Sequence, residues 1–317
     1  MKIIYAGSPL ASQMTLQYLY ENQAAGNYEI AGVISNPPTA KGRHKELTPT
    51  PVAAYALEKG IPVFTPEHLD AEAREQVSSV SPDFLVSFAY GHIFGPKFLA
   101  LFPMGAVNLH PSMLPKYRGC TPVPAAILNR DDKTAVSVQT VSLKMDEGDI
   151  LAQQIIELDG TETGESLLNN SADIGGKLIF QLLKDCSANG KLPAGVSQTG
   201  ETSYTKIITK NDARINWNDS AENIEAAIRA YYPDPGCWTE EKGLPLKVLA
   251  AKCLMECKDF ENEPAGKVVA FNKAEGILVK TGNGILSLQR LQRQGKNAMA
   301  YKDFMNGARD FVGTVLQ

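Results

Sequence analysis

Asn108-Leu109-His110-Pro111-Ser112-Met113-Leu114-Pro115-Lys116-Tyr117-Arg118-Gly119 leaves a short apolar segment, Gly105-Ala106-Val107, and runs into a loop bounded by prolines. The apolar segment reads as a strand. Side chains two apart on a strand point the same way, so the amide of Asn108 and the imidazole of His110 share a face. The amide suits hydrogen bonding to a developing oxyanion, and the imidazole suits moving a proton. A carboxylate follows downstream in Met145-Asp146-Glu147-Gly148-Asp149. An amide, a base and an acid delivered to one strand end point to acyl transfer. Spacing alone does not separate Asp146 from Glu147 or Asp149 as that acid. Nor does it separate a catalytic His110 from a structural histidine satisfied by the backbone.

Outward from this strand, the first half of the chain alternates strand-like and helix-like segments. Lys2–Ala6, Glu29–Ser35, Phe84–Phe88 and Gly105–Leu109 read as strands. Leu10–Asn22, Pro51–Lys59, Pro122–Asn129 and Gly164–Cys186 read as helices, the last with a Gly175-Gly176 pair inside it. Thr134–Val141 and Asp149–Leu158 are β-rich. The alternation predicts an α/β domain, a parallel-rich sheet covered on both faces. Ligands of such sheets bind beyond the carboxyl ends of the strands, where Asn108, His110 and Ala89-Tyr90-Gly91 fall. After Ser187 the chain becomes rich in Gly, Ser and Pro, the composition of a linker. Beyond it lie one helix, Ile224–Tyr232, and short β-like runs separated by Gly or Asn turns. That pattern predicts a small OB-like β-barrel domain. The resulting division is residues 1–188, a linker at 189–203, and a second domain at 204–317.

The 317 residues are 44% hydrophobic, enough for a sizeable core and against a disordered chain. No stretch reaches the roughly 18 apolar residues of a membrane span, and the N-terminal apolar run is too short for a signal peptide. Cys120, Cys186, Cys237, Cys253 and Cys257 are odd in number and sparse, which fits a reduced, cytoplasmic protein and argues against structural zinc. The net charge of −4 hides an asymmetry: residues 204–317 carry 16 Lys+Arg against 14 Asp+Glu. Lys280, Arg290, Arg293, Lys296 and Lys302 fall in a stretch without an acid, which reads either as a basic binding face or as ordinary solvated surface.

Gly7-Ser8-Pro9 stands where a dinucleotide fold would place Gly-x-Gly-x-x-Gly, but the pattern is missing and Pro9 lacks an amide donor. A nicotinamide or flavin cofactor is therefore not expected. Lys41-Gly42-Arg43-His44-Lys45 is a basic, glycine-containing loop of the kind that clamps phosphates, or simply a loop. His44 and His68 read as exposed, and His92 as a residue near the pocket.

Taken together, these residues resemble the methionyl-tRNA formyltransferases along nearly the whole chain. The stretches that carry the resemblance include Ala6-Gly7-Ser8-Pro9, Gly42-Arg43, Ala89-Tyr90-Gly91, Asn108 to Gly119 and Met145 to Asp149. Ala213-Arg214-Ile215-Asn216-Trp217, Pro264-Ala265-Gly266-Lys267-Val268 and Gly295-Lys296-Asn297-Ala298-Met299 continue it. The Asn-x-His pattern with a downstream Asp belongs to folate-dependent formyltransferases in general, and the later stretches point to the tRNA enzymes. The resemblance implies a Rossmann-like formyltransferase domain, a linker and an OB-like domain that helps hold tRNA. It implies 10-formyltetrahydrofolate as donor and the α-amine of methionyl initiator tRNA as acceptor, in a monomeric cytoplasmic enzyme without a metal. Asn108, His110 and Asp146 take the catalytic positions. Ser112, Met113, Leu114 and Pro115, with Tyr90 and Gly91, take the folate positions, Met113 replacing the usual leucine. Lys41, Arg43, Lys45, Arg290, Arg293 and Lys296 are implied as tRNA contacts. A formyltransferase acting on an amino-sugar or glycinamide nucleotide is the alternative the core motif leaves open.

Overall fold

The computed structural model describes residues 1–41, 46–254 and 260–317. Its strands are β1 (Lys2–Gly7), β2 (Glu29–Ile34), β3 (Thr39–Lys41), β4 (Glu46–Thr48), β5 (Val63–Phe64), β6 (Phe84–Phe88), β7 (Ala106–His110), β8 (Arg118–Gly119), β9 (Lys133–Thr140), β10 (Ile150–Glu157), β11 (Tyr204–Thr205), β12 (Trp238–Glu241), β13 (Leu244–Leu254), β14 (Val268–Asn272), β15 (Gly276–Lys280), β16 (Ile285–Arg293) and β17 (Met299–Ala300). Its helices are α1 (Leu10–Glu21), α2 (Gln23–Gly26), α3 (Pro51–Glu58), α4 (Ala71–Ser78), α5 (Pro96–Leu99), α6 (Pro122–Leu128), α7 (Gly164–Asn189), α8 (Ala221–Ala230) and α9 (Tyr301–Asn306).

The chain forms two compact units. The first comprises Met1–Pro122, Lys133–Glu157 and Leu168–Thr205, and the second Val123–Asp132, Leu158–Leu167 and Lys206–Gln317. Residues 189–203 thus fall with the first unit.

The first unit is built on a seven-stranded sheet of order β10-β9-β7-β6-β1-β2-β5. The five strands from β7 to β5 run parallel, while β9 is antiparallel to β7 and to β10. The order reverses around β1 and β6, the kind of topological switch beside which α/β sheets bind ligands at their carboxyl ends. Both faces are covered. Ile4, Ala6, Ile34 and Leu85 pack with Val77 of α4, Phe98 of α5 and the ring of Tyr90. On the other face, the Tyr5 hydroxyl donates to the Ser12 carbonyl of α1. Helix starts follow local chemistry: Thr50 and Asp70 cap α3 and α4 by accepting from Ala53 N–H and Ala73 N–H, and Pro51 fills the first turn of α3.

The strand that carries Asn108 and His110 is seated by α7. Ser171, Ala172, Gly175, Ile179, Leu182, Leu183 and Cys186 make a buried stripe at helical spacing. At Gly175 the helix comes so close to β7 that a Cβ would meet Leu109, whose Cγ would lie 2.9 Å away with both methyls nearer still. Leu109 is 1% exposed and points away from the face shared by Asn108 and His110. Gly175→Val is therefore expected to cost about 1–3 kcal/mol by overpacking, despite the better helix propensity of valine. A melting temperature unchanged from wild type would contradict this tight approach.

The second unit is a curled antiparallel sheet, order β12-β13-β16-β15-β14 with β17 added on β16. Its core includes Leu246, Val248, Val268, Ile277, Val279, Leu288 and Leu291. α8 lays an apolar face of Ala221, Ile224 and Ile228 towards it, and Ser220 caps the helix by accepting from Asn223 N–H.

Candidate active site

Asn108 and His110 project from the carboxyl half of β7, on the face opposite Leu109. β9 runs beside them with Asn108 paired to Gln139 and His110 to Ser137. Ser137 and Gln139 alternate with Val136 and Val138, so this part of the sheet presents a buried polar patch. The 141–149 loop folds back across that patch and brings Asp146 to it.

His110 is 4% exposed. Its Nε2 lies 2.9 Å from the Tyr117 carbonyl, which can only accept, so Nε2 carries a proton. Its Nδ1 lies 3.6 Å from Asp146 Oδ1. The carboxylate is fixed independently: Gly119 N–H donates to Oδ2 (2.8 Å) and Gln139 Nε2 donates to Oδ1 (2.8 Å). Burial pulls the His110 pKa below its ordinary value, against the opposing influence of Asp146 and the Tyr117 carbonyl. A charged His110 is thus disfavoured at neutral pH, because the cost of burying the charge outweighs the attraction of the neighbouring carboxylate. The neutral ring has its proton on Nε2 and an unprotonated Nδ1 facing Asp146, a gap that one further proton would bridge.

The Asn108 side chain makes no hydrogen bond with any described residue, and its amide is only half-buried. Backbone conformation around the site is unusual: Ala89 (φ 52°), Tyr117 (φ 60°) and Asp146 (φ 55°) all occupy the left-handed region, where non-glycine residues are rare. Gly148 closes the Asp146 turn against the Thr140 carbonyl, and any Cβ there would collide with it. Among the described residues no cluster of His, Cys, Asp and Glu could hold a metal ion. A cavity of about 390 Å³ lies at the amino ends of β1 and β2, lined by Lys2, Tyr20, Glu29 and Pro62 among others, and contains none of these groups.

Residues 1–183 match the formyl transferase family and residues 207–309 the formyl transferase C-terminal domain family. Methionyl-tRNA formyltransferase of Treponema denticola is 38% identical over 98% of this chain and 98% of its own. The chain belongs to the methionyl-tRNA formyltransferase family. Solved structures share the fold at lower identity. Methionyl-tRNA formyltransferase from Clostridium thermocellum superposes with a TM-score of 0.58 at 19% identity, over 80% of this chain and 94% of that one. HypX from Aquifex aeolicus, solved with tetrahydrofolic acid, gives a TM-score of 0.62 at 14% identity. That match takes in 98% of this chain, which spans about half (48%) of HypX.

Against the positions implied by the methionyl-tRNA formyltransferases, Ser112, Leu114 and Pro115 are buried and Met113 is half-buried. The Ser112 hydroxyl donates to the Lys116 carbonyl, while its own carbonyl accepts from Ser137, which makes it a brace for the loop. Tyr90 is 2% exposed, its hydroxyl has no partner among the described residues, and its ring stacks on Phe94. Gly91 is exposed beside it. Arg43 and Lys45 lie outside the described residues, as does the side chain of Lys41. In the second unit Arg290 and Lys296 are exposed. Arg293 is half-buried and bound to Glu241 through Nε (2.8 Å) and Nη2 (2.7 Å), with its guanidinium over the Phe304 ring. His68 and His92 are exposed, and His92 Nε2 donates to Asn36 Oδ1 (2.9 Å). Among the described residues no helix is long and apolar enough to cross a membrane. Cys120, Cys186, Cys237 and Cys253 are free thiols.

Two site groups were not anticipated from sequence. Gln139 was hidden in a β-rich run, although the period-two placement of Ser137 and Gln139 among valines was a signal that one face is polar. Gln198 lies in the stretch read as a linker and offered no such signal.

Proposed function

We propose that this chain transfers the formyl group of 10-formyltetrahydrofolate to the α-amine of methionyl initiator tRNA, acting as a cytoplasmic monomer. The observation that carries the reading is an Asn108 amide without a partner among the described residues, on the same strand face as a buried His110–Asp146 pair, in a chain of this family.

The chemistry follows from those groups. A neutral amine attacks the formyl carbon, and the carbonyl oxygen gains charge. The Asn108 amide donates to that oxyanion, which stabilises the transition state more than the ground state. The amine must shed a proton, and His110 Nδ1 accepts it, the new N–H then donating to Asp146 Oδ1. The imidazolium formed then has a donor for both of its acceptors, the Tyr117 carbonyl and Asp146. The same proton goes to the folate nitrogen as its bond to the formyl carbon breaks, which restores the neutral ring. No covalent enzyme intermediate is required. The 112–115 loop and the Tyr90-Gly91 corner flank the folate. Arg290 and Lys296, on the OB-like second unit, contact tRNA phosphates together with the loop of Lys41, Arg43 and Lys45, while Arg293 holds Glu241.

The test is an acceptor panel: methionyl initiator tRNA, methionyl elongator tRNA, an amino-sugar nucleotide and glycinamide nucleotide, each with 10-formyltetrahydrofolate. The charged initiator tRNA is expected to have the highest kcat/KM. Formylation of the amino-sugar nucleotide with none of charged tRNA would overturn the reading. Binding of tRNA is expected to weaken by roughly 10- to 1000-fold between about 50 and 200 mM salt, because phosphate contacts release counterions. A flat response would remove the basic residues from the interface.

A further inference from the structure

The segment 196–205 lies across the candidate site and is tied to both loops that build it. Val196 and Ile150 exchange two backbone hydrogen bonds of 2.8 Å, and Ser197 Oγ donates to Asp149 Oδ1. At the other end, Tyr117 N–H donates to Ser203 Oγ and Arg118 N–H to the Ser203 carbonyl, both at 2.9 Å. β11 then pairs in parallel with β8. One loop supplies the Tyr117 carbonyl and the Gly119 N–H, and the other supplies Asp146.

Between these anchors sits Gln198, the side chain with the most directed contacts. Its Nε2 donates to the carbonyls of Asp146 (2.8 Å) and Gly148 (2.7 Å), with the Gln139 Oε1 at 3.3 Å. Its Oε1 accepts from Arg118 Nε (3.1 Å) and Nη2 (2.7 Å). Arg118 Nη1 reaches the Tyr204 hydroxyl, which donates to Glu147 Oε1 (2.7 Å). With carbonyls on one side and a guanidinium on the other, the amide has one satisfactory orientation. The 146–148 turn needs such a clamp, because Asp146 is held in the left-handed region and such conformations persist only when their surroundings over-determine them.

We propose that Gln198 is a positioning residue for Asp146: its amide locks the 146–148 turn and thereby aims the carboxylate at His110 and Gly119. The inference rests on the formyl-transfer reading above for its effect on rate.

Two variants of the full-length protein test it. Gln198→Leu keeps the volume and loses every hydrogen bond. Gln198→Glu keeps oxygens for Arg118 but has no N–H for the Asp146 and Gly148 carbonyls, and it still reports if the leucine variant fails to fold. Both are expected to lower kcat about 10- to 100-fold, the effect of a displaced catalytic group. KM for either substrate should stay within about twofold, as for a group that does not bind substrate. In ¹H–¹⁵N spectra the Gly119 amide, now bonded to Asp146 Oδ2, should move upfield in both variants, towards its position in Asp146→Ala. Wild-type kcat in Gln198→Glu would overturn the proposal, since the side chain would then serve Arg118 alone. An unmoved Gly119 amide in both variants would also overturn it. If the wild-type protein formylates no methionyl-tRNA, the functional reading fails, and the Gly119 resonance still decides whether Gln198 positions Asp146.

Discussion

His110→Ala is expected to lower kcat for formyl transfer by about 10³-fold, within the range that a positioned acid–base group contributes. Water cannot readily take over, because the ring lies 4% exposed between the Tyr117 carbonyl and Asp146. Binding of methionyl-tRNA, measured by filter retention, should change little. Full activity in the variant would demote His110 to a brace for Tyr117. The pH dependence has a definite sign. Burial holds the folded-state pKa of His110 below its ordinary value, which is about 6.5. Activity should therefore fall as pH drops through that lowered pKa, where the ring takes up a proton and loses its acceptor nitrogen. Stability follows the same direction: the unfolded chain binds the proton more readily, so His110's contribution is present above about 6.5 and is lost as pH falls through the folded pKa. The alanine variant should lack this acid-side decline in melting temperature.

Asn108→Ala is expected to reduce kcat by roughly 10²- to 10³-fold, the typical loss on removing one oxyanion donor. KM for the folate and for the tRNA should move far less, because the amide acts on charge that appears only in the transition state. The melting temperature should stay close to wild type, since Asn108 makes no side-chain hydrogen bond with a described residue. That combination separates a catalytic amide from a structural one. A large loss of stability with kcat preserved would assign Asn108 to the sheet.

Much of this architecture was legible in the sequence because it rests on local patterns. The apolar runs of β1, β2, β6 and β7 and the helical stripe of α7 were readable within a window of residues. So was the same-face placement of Asn108 and His110. What escaped reading depends on distant partners. α4 has only Ala73 and Val77 buried in a charged segment, too few for a periodic signal, and its clearest mark is the Asp70 cap. The antiparallel pairing of β9 with β7 depends on a partner strand, which strand composition does not encode. The ion pair of Arg293 was not legible, because its partner, Glu241, lies 52 residues away. The charge state of His110 depends on how completely the fold covers it, which the residues beside it in sequence do not encode. Gln198 sat among the Gly, Ser and Pro that normally mark a free linker.

The segment 196–205 also has a bearing on how the chain is made. Every strand of the larger sheet has left the ribosome by residue 157, and α7 is complete at residue 189. At that moment the Asp146 turn still lacks Gln198, and Tyr117 and Arg118 lack Ser203. A nascent chain in this state has its sheet strands and α7 outside the ribosome, but the hydrogen bonds from Gln198 and Ser203 to the two loops form only once the stretch leading into the second unit has emerged.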